Sequence, residues 1–174
     1  MATKRRSLSE RNTQAITRTA AEAPKREQTA RRPTTGAADG LARISSWLSR
    51  EEYDAARGAY LVGFSAEDVD TFSQWVTQAV KAFARLDAAE RAEALARRER
   101  GGEAVGGSPR NVVVAPEAIE AMTQAMKADQ QAGQWSSKSA WFATALVHAA
   151  ETTRAATGGD LPDPPTRLPF RRSR

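Results

Sequence analysis

"SSKSAWFATALVHAAE", residues 136–151, decides how this chain is read, because a related stretch, "DTFSQWVTQAVKAFAR", stands 66 positions earlier at 70–85. Both begin with hydroxyl residues and continue as an amphipathic helix around a tryptophan. Working outward, the segments that precede them match as well. Sliding residues 41–96 over 109–156 by 66 positions, without a gap, sets Glu51 on Glu117, Ala59 on Ala125, Ser73 on Ser139, Trp75 on Trp141 and Ala79 on Ala145. Leu48 meets Val114, Tyr53 meets Ile119 and Val80 meets Leu146. In a chain with four Trp, the paired tryptophans carry more weight than the alanines. A shared order of strand, helix, turn and helix is read as an internal duplication.

Each copy follows the same local logic. "RISSWLS" alternates, with Ile44, Ser46 and Leu48 on one side and Arg43, Ser45 and Trp47 on the other. "SREE" then offers a capping box, with Ser49 as N-cap and Glu52 reaching back. The following helix carries Tyr53, Ala56, Tyr60 and Leu61 on one face. "GFSAEDVD" breaks it. A second helix, about 71–86, turns Phe72, Trp75, Val76, Ala79, Val80 and Phe83 inward, and the charged run "DAAERAEALARRER" is expected to extend it. In the second copy "RNVVVA" is a β-branched strand and Pro116 suits a first helical position. Ile119, Met122, Ala125 and Met126 form an apolar face. After the turn "DQQAGQ", Trp141, Phe142, Ala145 and Leu146 point inward.

Composition bounds the rest. The chain has 174 residues, no Cys, one His, 11 Gly and 8 Pro, with a mean hydropathy of −0.58 and a pI near 10.1. Thiolate chemistry, disulfides and nearly all zinc or iron–sulfur arrangements are excluded. The net charge of +5 sits at the ends: residues 1–40 carry +5, 41–100 carry −1, 101–160 carry −2 and 161–174 carry +3. Any nucleic-acid contact by the middle must come from a few placed groups. Residues 1–40 read as a disordered basic tail with a short helix around Ser9–Ala23. Residues 97–108 read as a Gly-rich linker, and 157–174 as a Pro/Arg-rich disordered tail. No signal peptide or membrane span is visible, so a cytoplasmic location is expected.

The layout resembles the ribbon-helix-helix family of DNA-binding proteins. "SKSAWFATAL" (137–146) looks like the start of that family's second helix. The resemblance covers roughly 43–86 and 109–152. It implies a mainly α fold with short β: two tandem β-α-α units whose strands pair into a two-stranded ribbon, within the chain or across a homodimer. It also implies that the ribbon enters the major groove of double-stranded DNA while second-helix N-termini hold phosphates. Alternation makes Arg43, Ser45 and Trp47 outward in the first strand. The 66-residue offset makes Pro109, Asn111 and Val113 outward in the second, whereas a one-residue slip would expose Arg110, Val112 and Val114. Arg43 and Asn111 are the expected base readers, since Arg suits guanine and Asn adenine, with Ser45, Trp47 and Val113 beside them and Arg110 in reserve. Ser137, Lys138, Ser139 and Thr71 are the expected phosphate contacts. Trp47 and the valines depart from the family's usual polar readers. Glu67, Asp68 and Asp70 should repel DNA at the first unit.

Among the family's roles, the resemblance implies a plasmid or chromosome partition protein that binds a centromere, or a repressor of its own operon. Partition would make Lys4, Arg5 and Arg6 in the tail a contact for a partner ATPase. The alternative from another class is a helical protein–protein adaptor or antitoxin without DNA binding. No nucleophile, base and orienting group stand together. His148 has no second ligand, and "GGEAVGG" lacks the Lys of a phosphate loop. A non-enzyme without cofactor or metal is therefore expected.

Overall fold

The computed structural model describes residues 40–100 and 107–171. The basic N-terminal segment, including the helix expected at Ser9–Ala23, lies outside them, as do residues 101–106. The described chain is mainly helical, with one short antiparallel two-stranded sheet. In order it runs β1 (Ala42–Leu48), α1 (Arg50–Ser65), α2 (Phe72–Arg85), α3 (Ala88–Arg100), β2 (Ser108–Val114), α4 (Pro116–Gln131) and α5 (Lys138–Ala156).

Helix starts follow from side-chain caps. At α1 the Ser49 hydroxyl accepts from the Glu52 amide at 3.1 Å, and Glu52 Oε2 accepts from the Ser49 amide at 2.8 Å. Thr71 caps α2 through the Gln74 amide, and Ser137 caps α5 through the Ala140 amide, each at 3.1 Å. These two caps are equivalents under the 66-residue offset. Pro116 opens α4, where no side-chain cap is formed.

The boundaries after Leu86 differ from expectation: α3 runs through Arg100, into the stretch 97–108 read as a linker, and β2 takes that stretch's last residue, Ser108. The charged run after Leu86 does not extend α2. Asp87 accepts from the Glu90 amide at 2.8 Å and Glu90 accepts from the Asp87 amide at 2.9 Å, so a reciprocal cap stops one helix and starts α3. This helix has no counterpart in the second copy.

The strands pair within the chain. The register sets Ala42 opposite Val114, Arg43 opposite Val113, Ser45 opposite Asn111, Trp47 opposite Pro109 and Leu48 opposite Ser108. The helices interlock across the copies: α1 packs chiefly on α5, and α2 on α4 and α5, rather than on each other. Neither copy has a core of its own; both fall in one contact unit. Its centre is fully buried Trp141, Phe142, Leu146, Val76, Val80 and Leu48. Trp141 meets Phe83 edge-on at 4.9 Å.

A buried ion pair ties α3 to this core. Arg91 and Asp129, each about 3% exposed, meet through two hydrogen bonds of 2.9 and 2.6 Å. The other Asp129 oxygen accepts from the Trp141 indole at 3.1 Å, and Arg91 also donates to the Leu86 carbonyl. Every lone pair and proton so engaged offsets the cost of burying the charges.

The C-terminal segment corrects an expectation. It was expected to be a disordered tail, yet through Arg171 it lies as an ordered strap along α1. Leu161 and Leu168 pack on the core. Arg57 donates to the carbonyls of Pro165 and Thr166, and Tyr60 donates to that of Pro169 at 2.6 Å. Gly58 is required for the approach, because a Cβ there would lie 2.7 Å from the Pro162 carbonyl oxygen. No described helix is long and apolar enough to cross a membrane.

Candidate nucleic-acid interface

The strand pair has one covered face and one open face. Leu48, Ser46, Val112 and Val114 are buried beneath it. Arg43, Ser45, Trp47, Pro109 and Asn111 are exposed on the other side, with Val113 half-buried among them. A pleated strand shows every second side chain on one face, so these six form three cross-strand pairs: Arg43–Val113, Ser45–Asn111 and Trp47–Pro109. The strip spans about 14 Å along each strand, at ~3.4 Å per residue. A two-stranded ribbon is of a size that a major groove admits.

Arg110 takes another place. It lies on the inner side of the pleat with its guanidinium 4.7 Å from the Tyr53 ring centroid. Its Nε is buried without a hydrogen-bond partner in the described structure. The reserve reader is therefore off the open face, and the register that would have exposed it is not the one adopted.

The starts of α2 and α5 clamp the strip at opposite ends. Ser73 in α2 donates to the Val113 carbonyl at 2.7 Å. Ser139 in α5 accepts from the Trp47 amide at 3.2 Å, and Ser46 donates to the Ser139 carbonyl at 2.9 Å. Ser73 and Ser139 are repeat equivalents, as are Trp47 and Val113, so the two clamps join equivalent residue pairs, with the serine hydroxyl donating in one and accepting in the other. Each copy's second helix holds the other copy's strand.

This geometry assigns the expected phosphate residues unequal freedom. Ser137 caps α5 and Ser139 is bonded to the ribbon, so both hydroxyls serve the fold. Lys138, between them, is exposed. Thr71 likewise caps α2. Of the first-turn amides, those of Gln74 and Ala140 are taken by the caps, and those of Phe72, Ser73, Lys138 and Ser139 lack intrahelical acceptors. Lys4, Arg5 and Arg6 lie outside the described residues.

Several neighbours of the strip were not expected. Arg98 of α3 donates to both Glu52 oxygens, at 2.7 and 3.2 Å, and to the Trp47 carbonyl at 3.2 Å. With Trp47, Ser137 and Ser139 it lines a cavity of about 250 Å³ at one end of the ribbon. Trp135, two residues before the α5 cap, is 79% exposed. Arg171 reaches Asp70 at the other end. No sequence signal marked Arg98 or Arg171, since each acts across more than 45 residues through backbone or carboxylate oxygens.

No group of three or more His, Asp or Glu among the described residues is arranged to hold a metal. Comparison with family models, curated proteins and solved structures finds no match to this chain.

Proposed function

We propose that the chain is a tandem pair of ribbon-helix-helix units that binds double-stranded DNA sequence-specifically, with its ribbon in the major groove. The observation that carries this reading is the open ribbon face, flanked at both ends by equivalent helix N-termini. Arg43 and Asn111 project from it as base readers. The outward face supplies one cation, so affinity draws on Lys138, the first-turn amides and the basic termini. The biological roles that suit such a module are centromere binding in plasmid or chromosome partition, with a partner ATPase at the N-terminal tail, and repression of its own operon.

One observation favours a second reading. Trp47 is 58% exposed and lies opposite Pro109, an apolar end of the strip that suits a protein partner in a helical adaptor or antitoxin. A gel shift of genomic fragments in moderate salt separates the two. The DNA reading predicts a retained fragment that random duplex does not compete away; no retained fragment favours the adaptor.

A further inference from the structure

Three carboxylates, Glu67, Asp68 and Asp70, fall within the four residues before the Thr71 cap of α2. Their equivalents before α5 are Gly133, Gln134 and Ser136. One end of the ribbon is thus acid-flanked and the other is not. Within a Debye length of about 8–10 Å, those acids oppose a phosphate at the α2 end. The end is tied to the ribbon, because Ser73 is bonded to Val113.

The strap brings a cation to this place. Arg171 donates its amide to the Asp70 carbonyl at 2.9 Å and a guanidinium N–H to the Phe64 carbonyl at 2.8 Å. The guanidinium carbon lies 4.1 Å from the Phe64 ring centroid. So placed, its nitrogens stand 3.7 Å from the Asp70 carboxylate and 4.0 Å from that of Glu67. Among the described residues it is the only base paired with either acid. Its position is set by backbone oxygens and an aromatic face, and its long, loose approaches to the carboxylates leave the charge available to both. The upstream anchors at Pro165, Thr166 and Pro169 hold the strap on α1 without it.

We infer that Arg171 is a charge-compensating residue for DNA binding, delivered by the C-terminal strap to offset Glu67 and Asp70, so that both ends of the ribbon accept phosphate. The inference rests on the DNA-binding reading. Duplication then explains the strap: the second copy has no acids at this place and needs no such cation, whereas the acid-flanked first copy does.

The test measures binding of the retained DNA fragment by wild type, Arg171→Gln, and Arg171→Gln combined with Glu67→Gln and Asp70→Asn, with a thermal melt of each. Arg171→Gln is expected to bind roughly tenfold more weakly near 0.1 M salt, with the salt slope reduced by about one. The triple variant should return to within about twofold of wild type, which a purely structural clasp would not produce. Should Arg171→Gln fail to fold, Glu67→Gln with Asp70→Asn in the wild-type background is expected to tighten binding several-fold. Equal or tighter binding by Arg171→Gln, absence of rescue, or no gain from the double neutralisation overturns the inference. A wild-type chain that retains no fragment overturns the DNA reading, and the inference with it.

Discussion

Ser45 lies directly opposite Asn111 in the ribbon, and Asn111 is the residue 66 positions further along the chain. The two strands thus meet at their own repeat equivalents, the register of a two-fold axis passing between these residues. The clamps of Ser73 on Val113 and Ser139 on Trp47 obey the same relation. The backbone is therefore arranged as in a symmetric dimer, while the open face is not symmetric. Arg43 has Pro109 as its equivalent, Ser45 has Asn111 and Trp47 has Val113.

Trp141→Ala is expected to cost about 3–5 kcal/mol, the range for truncating a large buried aromatic. The side chain is fully buried against Phe83. Its loss also removes the indole donor from Asp129. Urea denaturation checks this, and an unchanged midpoint would contradict the place given to α5.

Arg91→Ala strands the Asp129 carboxylate in the core and should cost ~3–5 kcal/mol. Replacing both partners by apolar residues of similar volume, Arg91→Met with Asp129→Leu, should recover much of that loss. The double-mutant cycle measures it. A single Arg91→Ala that melts with wild type would show that the pair does not hold α3 to the core.

Tyr60 gives the strap a dependence on alkaline pH. Burial raises its phenol pKa above the ordinary value of about 10, with Arg171 acting the opposite way and Asp70 adding to the rise. The neutral phenol is thus favoured by the fold. Its contribution is complete below the unfolded pKa and is lost as pH rises through the folded one. The same ionisation removes the donor to Pro169. Denaturation between pH 8 and 11 should show wild type losing more stability above about pH 10 than Tyr60→Phe does. Parallel profiles would contradict the contact.

Deleting residues 1–40 should flatten the salt dependence of DNA binding and leave site preference intact, if the tail adds only phosphate attraction. If it acts on a partition ATPase, replacing Lys4, Arg5 and Arg6 with Ala should abolish stimulation without weakening specific binding. Loss of neither property would make the tail a solubilising terminus.

How much was legible depended on whether a contact leaves a periodic trace. The inward stripes of α2, α4 and α5 follow from 3.6-residue spacing, and the outward set of β1 follows from alternation that leaves Leu48 buried. In β2 the valine run gave alternation nothing to act on, and the 66-residue offset from β1 supplied the outward set Pro109, Asn111 and Val113 that the register shows. The break at Asp87 was written as an Asp-x-x-Glu cap but was masked by a continuous helix-forming run. Arg91 and Asp129 are 38 residues apart, and no local pattern joins them. The strap was missed because it docks largely through its own carbonyls, at Pro165, Thr166 and Pro169, which no side-chain pattern announces.

Selection of duplex sites from a random pool, followed by base-by-base substitution with Arg43→Ala and Asn111→Ala, tests the central claim most directly. An intrachain ribbon with unlike halves should select a non-palindromic element. The two variants should relax preference at different positions of it, each by about 1–3 kcal/mol, with stability changed by no more than about 0.5 kcal/mol for such exposed sites. A perfect palindrome in which both substitutions affect equivalent bases of the two halves, or a pool with no enriched sequence, would contradict it.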